Sequence, residues 1–451
     1  MGGRTLEQVD LEPEIRRVGR ALAGALPAHA RNPLEALDRK AMELAEHDAR
    51  LRAALFRLVD VTPACRSLDD LAGHLREYLA EVDERPPSLN AAMRAAHTKA
   101  GRIALGAASA GGVRHMAHRF IVGESPQAAL GAIERSWRDG IGTSLDLLGE
   151  ATITQPEADR YAERCRDAID TLARAARRWP ERPVLEHDSV GPLPRANVSV
   201  KVTALTPLIR PEAPHVGRED AACRLRPLLH AAREAGAHLH VDMESVDALE
   251  TTEDLFFSLL DEEEVRPGPS AGLVLQAYLR DSPARLERIL DWAHSARRDP
   301  PLVVRLVKGA YWDQEVVGAR QHGWRPPVFE SKADCDRNYE ELTRRLLDAR
   351  PLVRVAVASH NLRSVAHAVA YNRLSGSDDR DLELQVLRGL GDDLAQALSR
   401  SGLRVRAYAP VGDLVAGMAY LVRRLLENTA NESFLHHWRQ GASLDELLAA
   451  P

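Results

Sequence analysis

Two neighbouring arginines and a glutamate near the carboxyl end have the types and spacing to bind a small carboxylate. Arg423, Arg424 and Glu427 lie in the run AYLVRRLLEN, whose apolar residues have helical spacing. A helix places Glu427 on the same side as both arginines, which it follows by four and three residues. Two guanidinium forks on one helix suit bidentate capture of a carboxylate. A solvated charge stripe is the alternative interpretation of the same pattern.

A second group of polar residues follows short apolar runs along the chain. Lys201 alone could be a surface lysine, Asp242 a helix cap and His360 a core histidine. Arg305 and Lys308 lie inside an apolar run, where an unpaired charge is costly. Their joint occurrence at successive run ends predicts the rim of an active site, made of Asp146, Glu150, Lys201, Asp242, Glu244, Gln276, Arg305, Lys308, Ser359, His360, Asn361, Gln385 and Tyr408.

This rim suits a large ligand that is anionic at one end. Lys308, Lys332 and His360, together with Arg305, offer donors to phosphates and a polar ring. The Gln276 amide offers both a donor and an acceptor to the edge of a heterocycle. Trp312 offers an apolar face to a ring. No HExxH or paired-cysteine signature is present, so the sequence predicts no metal site.

The elements that must position these residues alternate between strand and helix. Each of eight apolar, β-branched runs is followed by a helical pattern, which predicts a (β/α)8 barrel with its chemistry at the carboxyl ends of the strands. The runs cover residues 141–148, 197–202, 238–243, 272–278, 302–310, 353–359, 382–387 and 403–409. An open doubly wound sheet is the alternative, but no GxGxxG follows the first run. Residues 1 to about 115 are predicted to form a bundle of helices, with the glycine-rich stretch 101–112 as a flexible connection.

Composition limits the classes of binding partner and the cellular compartments that are compatible with the chain. The net charge is -6 and no long basic block occurs, which argues against nucleic-acid binding. The four cysteines are far apart, which favours free thiols in a reducing compartment. The amino terminus has no apolar signal region and no apolar stretch is long enough to span a bilayer. We therefore expect a cytoplasmic protein, with peripheral contact at the inner face of the membrane left open.

Several long motifs in order carry a family resemblance. They are SVKVTAL, HVDMES, VLQAYLRD, VRLVKGAYWDQEV, VASHN, ELQVLRGLG and YAPVGDLVAGMAYLVRRLLENTANESF. From about Phe120 to Phe434 the chain closely resembles the proline dehydrogenase family, in particular the dehydrogenase half of bifunctional proline-utilisation proteins. The resemblance implies residues 1–118 as a helical arm or bundle, 119–436 as a (β/α)8 barrel with its last helix over the mouth, and 437–451 as a tail.

The same resemblance implies an activity. An FAD-dependent barrel would oxidise L-proline to 1-pyrroline-5-carboxylate and pass electrons to a membrane quinone. Asp242 and Arg305 would be the catalytic charged pair. Substrate contacts would come from Lys201, Leu387, Tyr408, Tyr420, Arg423 and Arg424. Cofactor contacts would come from Met243, Gln276, Arg305, Lys308, Gly309, Ala310, Trp312, Lys332, Ser359, His360 and Glu427.

Departures from the family pattern are few. Ser359 stands where the family commonly has threonine, and Leu390 where methionine is common. The chain ends at LDELLAAP, about where bifunctional members continue into an aldehyde dehydrogenase domain. We therefore expect functional coupling to a separate 1-pyrroline-5-carboxylate dehydrogenase, or a longer parent protein. A Schiff-base aldolase that uses Lys201, and a flavin-binding protein without catalysis, are the competing hypotheses.

Overall fold

A computed structural model describes residues 8–27, 49–82, 87–149, 152–266, 268–413, 417 and 443–451. The chain divides into two compact units. The first consists of Met1–Leu26, Ser125–Val411 and Ser433–Pro451, and the second of Pro27–Glu124 and Gly412–Glu432.

The first unit contains a closed barrel. Among the described residues, its eight parallel strands are β1 (Ile141–Leu147), β4 (Asn197–Lys201), β5 (His238–Asp242), β6 (Ser270–Gln276), β7 (Leu302–Val307), β8 (Val353–Ala358), β9 (Leu382–Leu387) and β10 (Arg404–Val411), while β2 (His187–Asp188) and β3 (Gly191–Pro192) form a separate hairpin. The eight strands pair in the order β1-β10-β9-β8-β7-β6-β5-β4, and β4 pairs back onto β1. All eight predicted runs are confirmed. The open sheet is wrong because β1 has a partner on both sides.

Helices cover the outside of the barrel because each buries one apolar stripe on the strands. Thr154 and Glu157 form the predicted capping box, in which the Thr154 N–H donates to Glu157 Oε2 at 3.0 Å. The helices of this part are Pro126–Arg138, Gln155–Ala176, Pro183–Glu186, Val202–Leu205, Pro214–Ala235, Val246–Asp261, Ser282–Ala296, Trp312–Gln321, Lys332–Asp348, Leu362–Leu374 and Asp392–Arg400, with a 3-10 turn at Asp379–Asp381.

The amino-terminal end of the barrel is closed by ion pairs inside it. A hairpin of β2 (His187–Asp188) and β3 (Gly191–Pro192) carries the Asp188 carboxylate inward. It accepts from Arg354 at 3.0 and 3.2 Å and lies 3.7 Å from Arg404. One layer further in, Glu383 accepts from Arg406 at 2.9 and 3.1 Å. We call Asp188, Arg354, Glu383, Arg404 and Arg406 the floor network.

Charge compensation explains why this interior tolerates ions. Burial alone would raise the pKa of Glu383, but Arg406 and Arg404 lower it to about 2. The carboxylate therefore stays ionised between two guanidiniums, and the floor is filled by paired charges where many barrels carry only apolar layers.

The described segments nearest the two termini both dock on the helices of this unit. The helix Gln8–Ala25 supplies Glu12, which accepts from Arg363 at 2.7 and 3.0 Å. The carboxyl-terminal segment, with its short helix Leu444–Leu447, buries Leu448 and gives its carbonyl oxygen to Arg363 at 2.7 Å. Leu448 rests on Gly19, where an added Cβ would lie 2.5 Å from the leucine side chain.

The second unit is helical in its described part. Its helices are Ala49–Val61, Leu68–Ala80, Pro87–Ala95 and Lys99–Phe120, with a 3-10 turn at Thr62–Ala64. A cluster that includes Leu51, Leu58, Leu75 and Leu79 forms its core. The prediction of a helical amino-terminal region is confirmed, although residues 28–48 are outside the description.

The predicted flexible connection at residues 101–112 is wrong, because this stretch lies within the helix Lys99–Phe120. Gly106 shows the reason for a glycine here, since an added Cβ would lie 1.9 Å from the Leu68 carbonyl oxygen. The glycine is therefore needed because two backbones approach closely here, and not because the chain is flexible. Within the described part of the chain, no helix combines the length and apolarity needed to cross a membrane.

Candidate active site

Lys201 is the last residue of β4, and its ammonium is surrounded by acidic and phenolic oxygens. Its Nζ pairs with Asp146 Oδ1 and lies 3.7 Å from Asp242 Oδ2 and 3.5 Å from the Tyr408 hydroxyl. Burial alone would lower the pKa of Lys201, but the Asp146 and Asp242 carboxylates raise it above its ordinary value. The side chain is therefore a fixed cation at the carboxyl ends of the strands.

Asp242, the last residue of β5, joins two further strands. Its Oδ1 accepts from Arg305 NH1 at 2.8 Å, and its Oδ2 accepts from the Tyr408 hydroxyl at 2.6 Å. The Arg305 guanidinium also lies 5.3 Å from the centre of the Tyr408 ring. Burial raises the pKa of Tyr408 well above its ordinary value, so the phenol stays a neutral donor. We call Asp146, Lys201, Asp242, Arg305 and Tyr408 the mouth cluster.

Hydroxyl groups hold Arg305 from below. Its NH2 donates to Ser144 at 3.3 Å and Ser199 at 3.2 Å. These serines belong to β1 and β4, so the side chain of a β7 residue reaches across the barrel interior. Arg305 is only 4% exposed, and this cross-barrel bonding orients its fork toward Asp242.

Two histidines lie one and two layers below Asp242 on β5. His238 Nε2 is 3.1 Å from His240 Nδ1, and His238 Nδ1 is 2.8 Å from Ser270 Oγ. Burial lowers the pKa of His238 to about 3 and that of His240 well below its ordinary value. Both rings are therefore neutral at physiological pH.

Gln276 ends β6 with half of its amide satisfied. Its Nε2 donates to the Met243 and Glu244 carbonyl oxygens at 3.2 and 3.0 Å. Its Oε1 is buried and has no hydrogen-bond partner among the described residues. Since a buried acceptor without a partner costs free energy, this oxygen is positioned for a donor from a ligand.

The loop after β7 carries Lys308 and Gly309, and Lys332 at the start of a later helix shares a carboxylate partner with Lys308. Gly309 has φ +137°, and a Cβ there would lie 2.5 Å from the Tyr278 ring. Lys308 and Lys332 both pair with Asp336, the latter at 2.7 Å. Burial alone would raise the pKa of Asp336, but Lys308 and then Lys332 lower it. Two cations around one carboxylate leave a net positive charge beside this loop.

Most of the remaining predicted residues lie at or just after neighbouring strand ends. Gln385 does not: it is buried two residues before the end of β9, and its Nε2 donates to Glu383 of the floor network at 2.6 Å. Trp312 is 40% exposed, and its Nε1 donates to the Phe329 carbonyl oxygen at 2.9 Å. His360 Nε2 accepts from the Leu387 N–H at 2.8 Å, which links the ends of β8 and β9. Ala310 lies beside Gly309, and Ser359 Oγ accepts from the Asn361 N–H at 3.1 Å. Tyr420, Arg423, Arg424 and Glu427, like Glu150, lie outside the described residues, and so does the predicted helix over the mouth.

The structure adds polar interior residues that the sequence reasoning did not single out. Ser144 and Ser199 bond to Arg305 of the mouth cluster, and His238 and His240 lie below Asp242 on the same strand. The floor network lies at the other end of the barrel interior. The sequence did hold a signal for them: polar residues recur at every second position in HLHVD, LELQ and RVRAY. A two-residue period within a strand places such residues on one face, here the interior.

Comparison with known proteins identifies the family. A proline dehydrogenase profile matches residues 129–437. The chain belongs to the proline dehydrogenase family. Residues 12–120 match the profile of the proline utilization A N-terminal domain. The resemblance inferred from the motifs is thus confirmed.

Individual relatives show how similar the chain is and how much of each protein it covers. The chain is 33% identical to the bifunctional protein PutA of Salmonella typhimurium, over 75% of this chain and 25% of that protein. It is 27% identical to proline dehydrogenase 1 of Bacillus subtilis, over 73% of this chain and 92% of that protein. The chain thus spans about a quarter of the length of the PutA relatives.

Solved structures of proline utilization A proteins are also similar to this chain. Proline utilization A from Bdellovibrio bacteriovorus, in a form inactivated by N-propargylglycine, is 35% identical with a TM-score of 0.88, over 98% of this chain and 44% of that one. Proline utilization A of Bradyrhizobium japonicum is 28% identical with a TM-score of 0.72 over 98% of this chain and 45% of that one.

Proposed function

We propose that this chain oxidises L-proline to 1-pyrroline-5-carboxylate with bound FAD, as the first step of proline degradation to glutamate, and that electrons leave to a membrane quinone. The mouth cluster is the observation that carries this proposal. It gathers an ammonium, a guanidinium and a phenol, held in place by the Asp146 and Asp242 carboxylates, at the carboxyl ends of the barrel strands, where barrel enzymes hold their substrates. Family membership supplies the substrate class.

The described residues fit a flavin dinucleotide. The unpartnered Gln276 Oε1 is suited to accept an N–H from a heterocycle edge. Lys308 and Lys332 would hold the pyrophosphate, with His360 and Ser359 as further polar contacts. Gly309 and Ala310 allow close approach, and Met243 and Trp312 offer apolar contact. Glu427 would complete this set from outside the described residues.

Bound FAD would supply the two-electron acceptor for the oxidation and pass the electrons on to the quinone. Lys201 would attract the proline carboxylate together with Arg423 and Arg424. Tyr408 and Tyr420 would flank the pyrrolidine ring, with Leu387 and Ala310 as apolar contacts. These residues would fix the ring in one orientation, which is the main contribution that a protein makes to such a transfer.

Asp242 and Arg305 would act as a catalytic charged pair. Both oxygens of Asp242 already accept hydrogen bonds, from Arg305 and Tyr408. We therefore assign Asp242 the role of holding these two donors in place. Arg305 would face the reacting centre as a fixed positive charge.

The wider context of the reaction rests on the same proposal. The product would pass to a 1-pyrroline-5-carboxylate dehydrogenase, and quinone use would bring the protein to the inner face of the membrane from the cytoplasm. The boundaries at 118/119 and 436/437 stay predictions.

The aldolase hypothesis is disfavoured by the environment of Lys201. A Schiff-base lysine must lose its proton to act as a nucleophile. Asp146 and Asp242 instead raise the pKa of Lys201, which stabilises the charged form. A fixed cation suits carboxylate binding better than amine catalysis.

The test is the visible spectrum of the purified protein before and after anaerobic addition of L-proline. We expect a yellow protein that bleaches with proline and regains its colour when a soluble quinone is added. N-propargylglycine should abolish proline-dependent bleaching irreversibly. A colourless protein that cannot be reconstituted with FAD would refute cofactor and reaction together. Borohydride trapping of a substrate adduct on Lys201 would favour the aldolase hypothesis.

A further inference from the structure

Three side chains of different ligand types meet in the helical second unit, outside the proposed active site. Cys65 Sγ, a carboxylate oxygen of Asp70 and a ring nitrogen of His74 all lie within 4.8 Å of one another. A thiolate, a carboxylate and an imidazole are the three ligand types that zinc accepts in proteins. Among the described residues these three side chains are the group with such an arrangement.

The local sequence builds this arrangement. The 3-10 turn Thr62–Ala64 ends at Cys65, whose N–H donates to the Thr62 carbonyl oxygen at 3.3 Å. Ser67 then caps the helix Leu68–Ala80, and its hydroxyl accepts from the Asp70 N–H at 3.1 Å. Asp70 and His74 are four residues apart, so the helix presents both on one face. The thiol at the end of the turn reaches the same face.

Neighbouring groups orient two of the three side chains. Asp70 Oδ2 accepts from the Arg66 N–H at 3.0 Å, which fixes the carboxylate. The His74 ring stacks on Tyr78 with 5.8 Å between ring centres. Outer contacts of this kind orient the ligands of protein metal sites.

The spacing of the two light ligand atoms is close to that of a zinc site. Asp70 Oδ1 and His74 Nε2 are 3.8 Å apart. This distance is too long for a hydrogen bond. Two light atoms bound at about 2.1 Å to a tetrahedral zinc ion lie about 3.4 Å apart, so a small closure would complete the geometry. The Arg66 N–H engages Asp70 Oδ2, so Oδ1 remains toward His74. The Cys65 thiol donates to the Val61 carbonyl oxygen at 3.4 Å, a weak bond that zinc binding would replace.

We propose that Cys65, Asp70 and His74 bind a zinc ion, with a solvent molecule as the fourth ligand. The side chains of Asp70 and His74 are 42% and 35% exposed, which leaves solvent access on one side. Zinc binding would replace the proton of the Cys65 thiol, which passes to solvent, and would fix the turn after the helix Ala49–Val61 to the start of the next helix. The site is independent of the proposed oxidation of proline.

Cobalt(II) provides the test, because a tetrahedral thiolate site gives it intense long-wavelength d–d bands where a flavin does not absorb. One equivalent of cobalt(II) should produce these bands when it is added to the whole chain with its cysteine thiols reduced. One equivalent of zinc should then remove the bands. Cys65→Ser and His74→Gln should each weaken cobalt binding by more than about tenfold. Cys223→Ser, which changes an exposed cysteine elsewhere, should bind cobalt as the wild type does.

The outcome is decisive in either direction. Circular dichroism spectra must first show that the variants keep the helical content of the wild type, and His74→Gln, which changes a partly exposed side chain, serves if Cys65→Ser misfolds. Absence of the bands in the wild-type protein would overturn the proposal. So would bands that survive in folded His74→Gln protein or disappear in Cys223→Ser.

Discussion

Arg305 donates to Asp242 across 2.8 Å, and the pair lies at the carboxyl ends of the strands with side chains only 4% and 11% exposed. Little solvent remains to screen either charge. Each charge is therefore stabilised mainly by its partner and not by water. Loss of one partner leaves the other charge buried without compensation.

Asp242→Ala should lower the free energy of unfolding by about 3–5 kcal/mol, because it strands the Arg305 charge in the interior. Asp254→Ala is the matched control, since Asp254 accepts from Arg288 at the same 2.8 Å on the surface. The control should cost no more than about 1 kcal/mol. Urea unfolding of the three proteins measures the difference, and equal losses would show that the interior pair is not stabilised by burial.

Lys201→Met should raise the Michaelis constant for proline roughly 10- to 100-fold, because a hydrogen bond to a charged group contributes about 1.5–3 kcal/mol. The variant also leaves Asp146 without its counter-ion. Steady-state kinetics with a soluble quinone provide the measurement. Lys99→Met, at the exposed start of the helix Lys99–Phe120, should leave the constant unchanged. An unchanged constant in Lys201→Met would remove Lys201 from the substrate site.

Gly309→Ala should weaken flavin binding and destabilise the protein by about 1–3 kcal/mol. Its φ of +137° disfavours any side chain, and the new Cβ would meet the Tyr278 ring at 2.5 Å. Gly318→Ala is the control, because no atom lies within 4 Å of the added Cβ in the helix Trp312–Gln321. It should be neutral or stabilising by up to about 1 kcal/mol. The flavin content of the purified variants and urea unfolding decide between these expectations, and wild-type values for Gly309→Ala would contradict them.

Lowering the pH should destabilise the protein through His238. The folded protein lowers the pKa of this ring from 6.5 to about 3, so the unfolded chain binds more protons between these values. The free energy of unfolding therefore falls as the pH drops below 6.5, by about 2 kcal/mol at pH 5.

His238→Gln should remove about 2 kcal/mol of the loss of stability that the wild type shows between pH 7 and pH 5. Urea unfolding at the two pH values provides the measurement. His215→Gln, which changes an exposed histidine, should keep the wild-type difference. The same pH dependence in all three proteins would argue against a buried neutral ring.

Leu448→Ala should lower the free energy of unfolding by about 2–5 kcal/mol, because the side chain is fully buried against the helix Gln8–Ala25. Leu447→Ala, next to it but half-buried, should cost less. Unfolding of both variants in urea tests whether the carboxyl-terminal segment is part of the folded barrel unit. Equal and small effects would show that this segment adds little.

The strands were predictable because a parallel barrel buries both faces, so its strands appear as continuous β-branched runs such as LVVRLV. Lys201, Asp242 and Gln276 were predictable as rim residues because each is the last residue of its strand. Asp146 and Tyr408 were also predicted as rim residues, but their bonds to Lys201 were not, since they reach it from strands distant in sequence.

The glycine-rich stretch 101–112 shows where a prediction from composition fails. Composition alone predicts Gly106 to be part of a flexible connection. In the structure Gly106 lies in a helix, and a glycine is needed because an added Cβ would lie 1.9 Å from the Leu68 carbonyl oxygen. Packing overrides propensity there. The proximity of Cys65, Asp70 and His74 was likewise not predictable, because their spacing matches no familiar ligand motif and the turn at Thr62–Ala64 brings the thiol to the helix.

The hairpin that carries Asp188 also constrains how this sequence can evolve. By its position between a surface helix and the second barrel strand it looks like a loop that could be shortened freely. Yet it delivers the anion that neutralises Arg354 and Arg404. Loss of the hairpin alone would leave two cations enclosed, so substitutions at these three positions should occur together in homologous sequences.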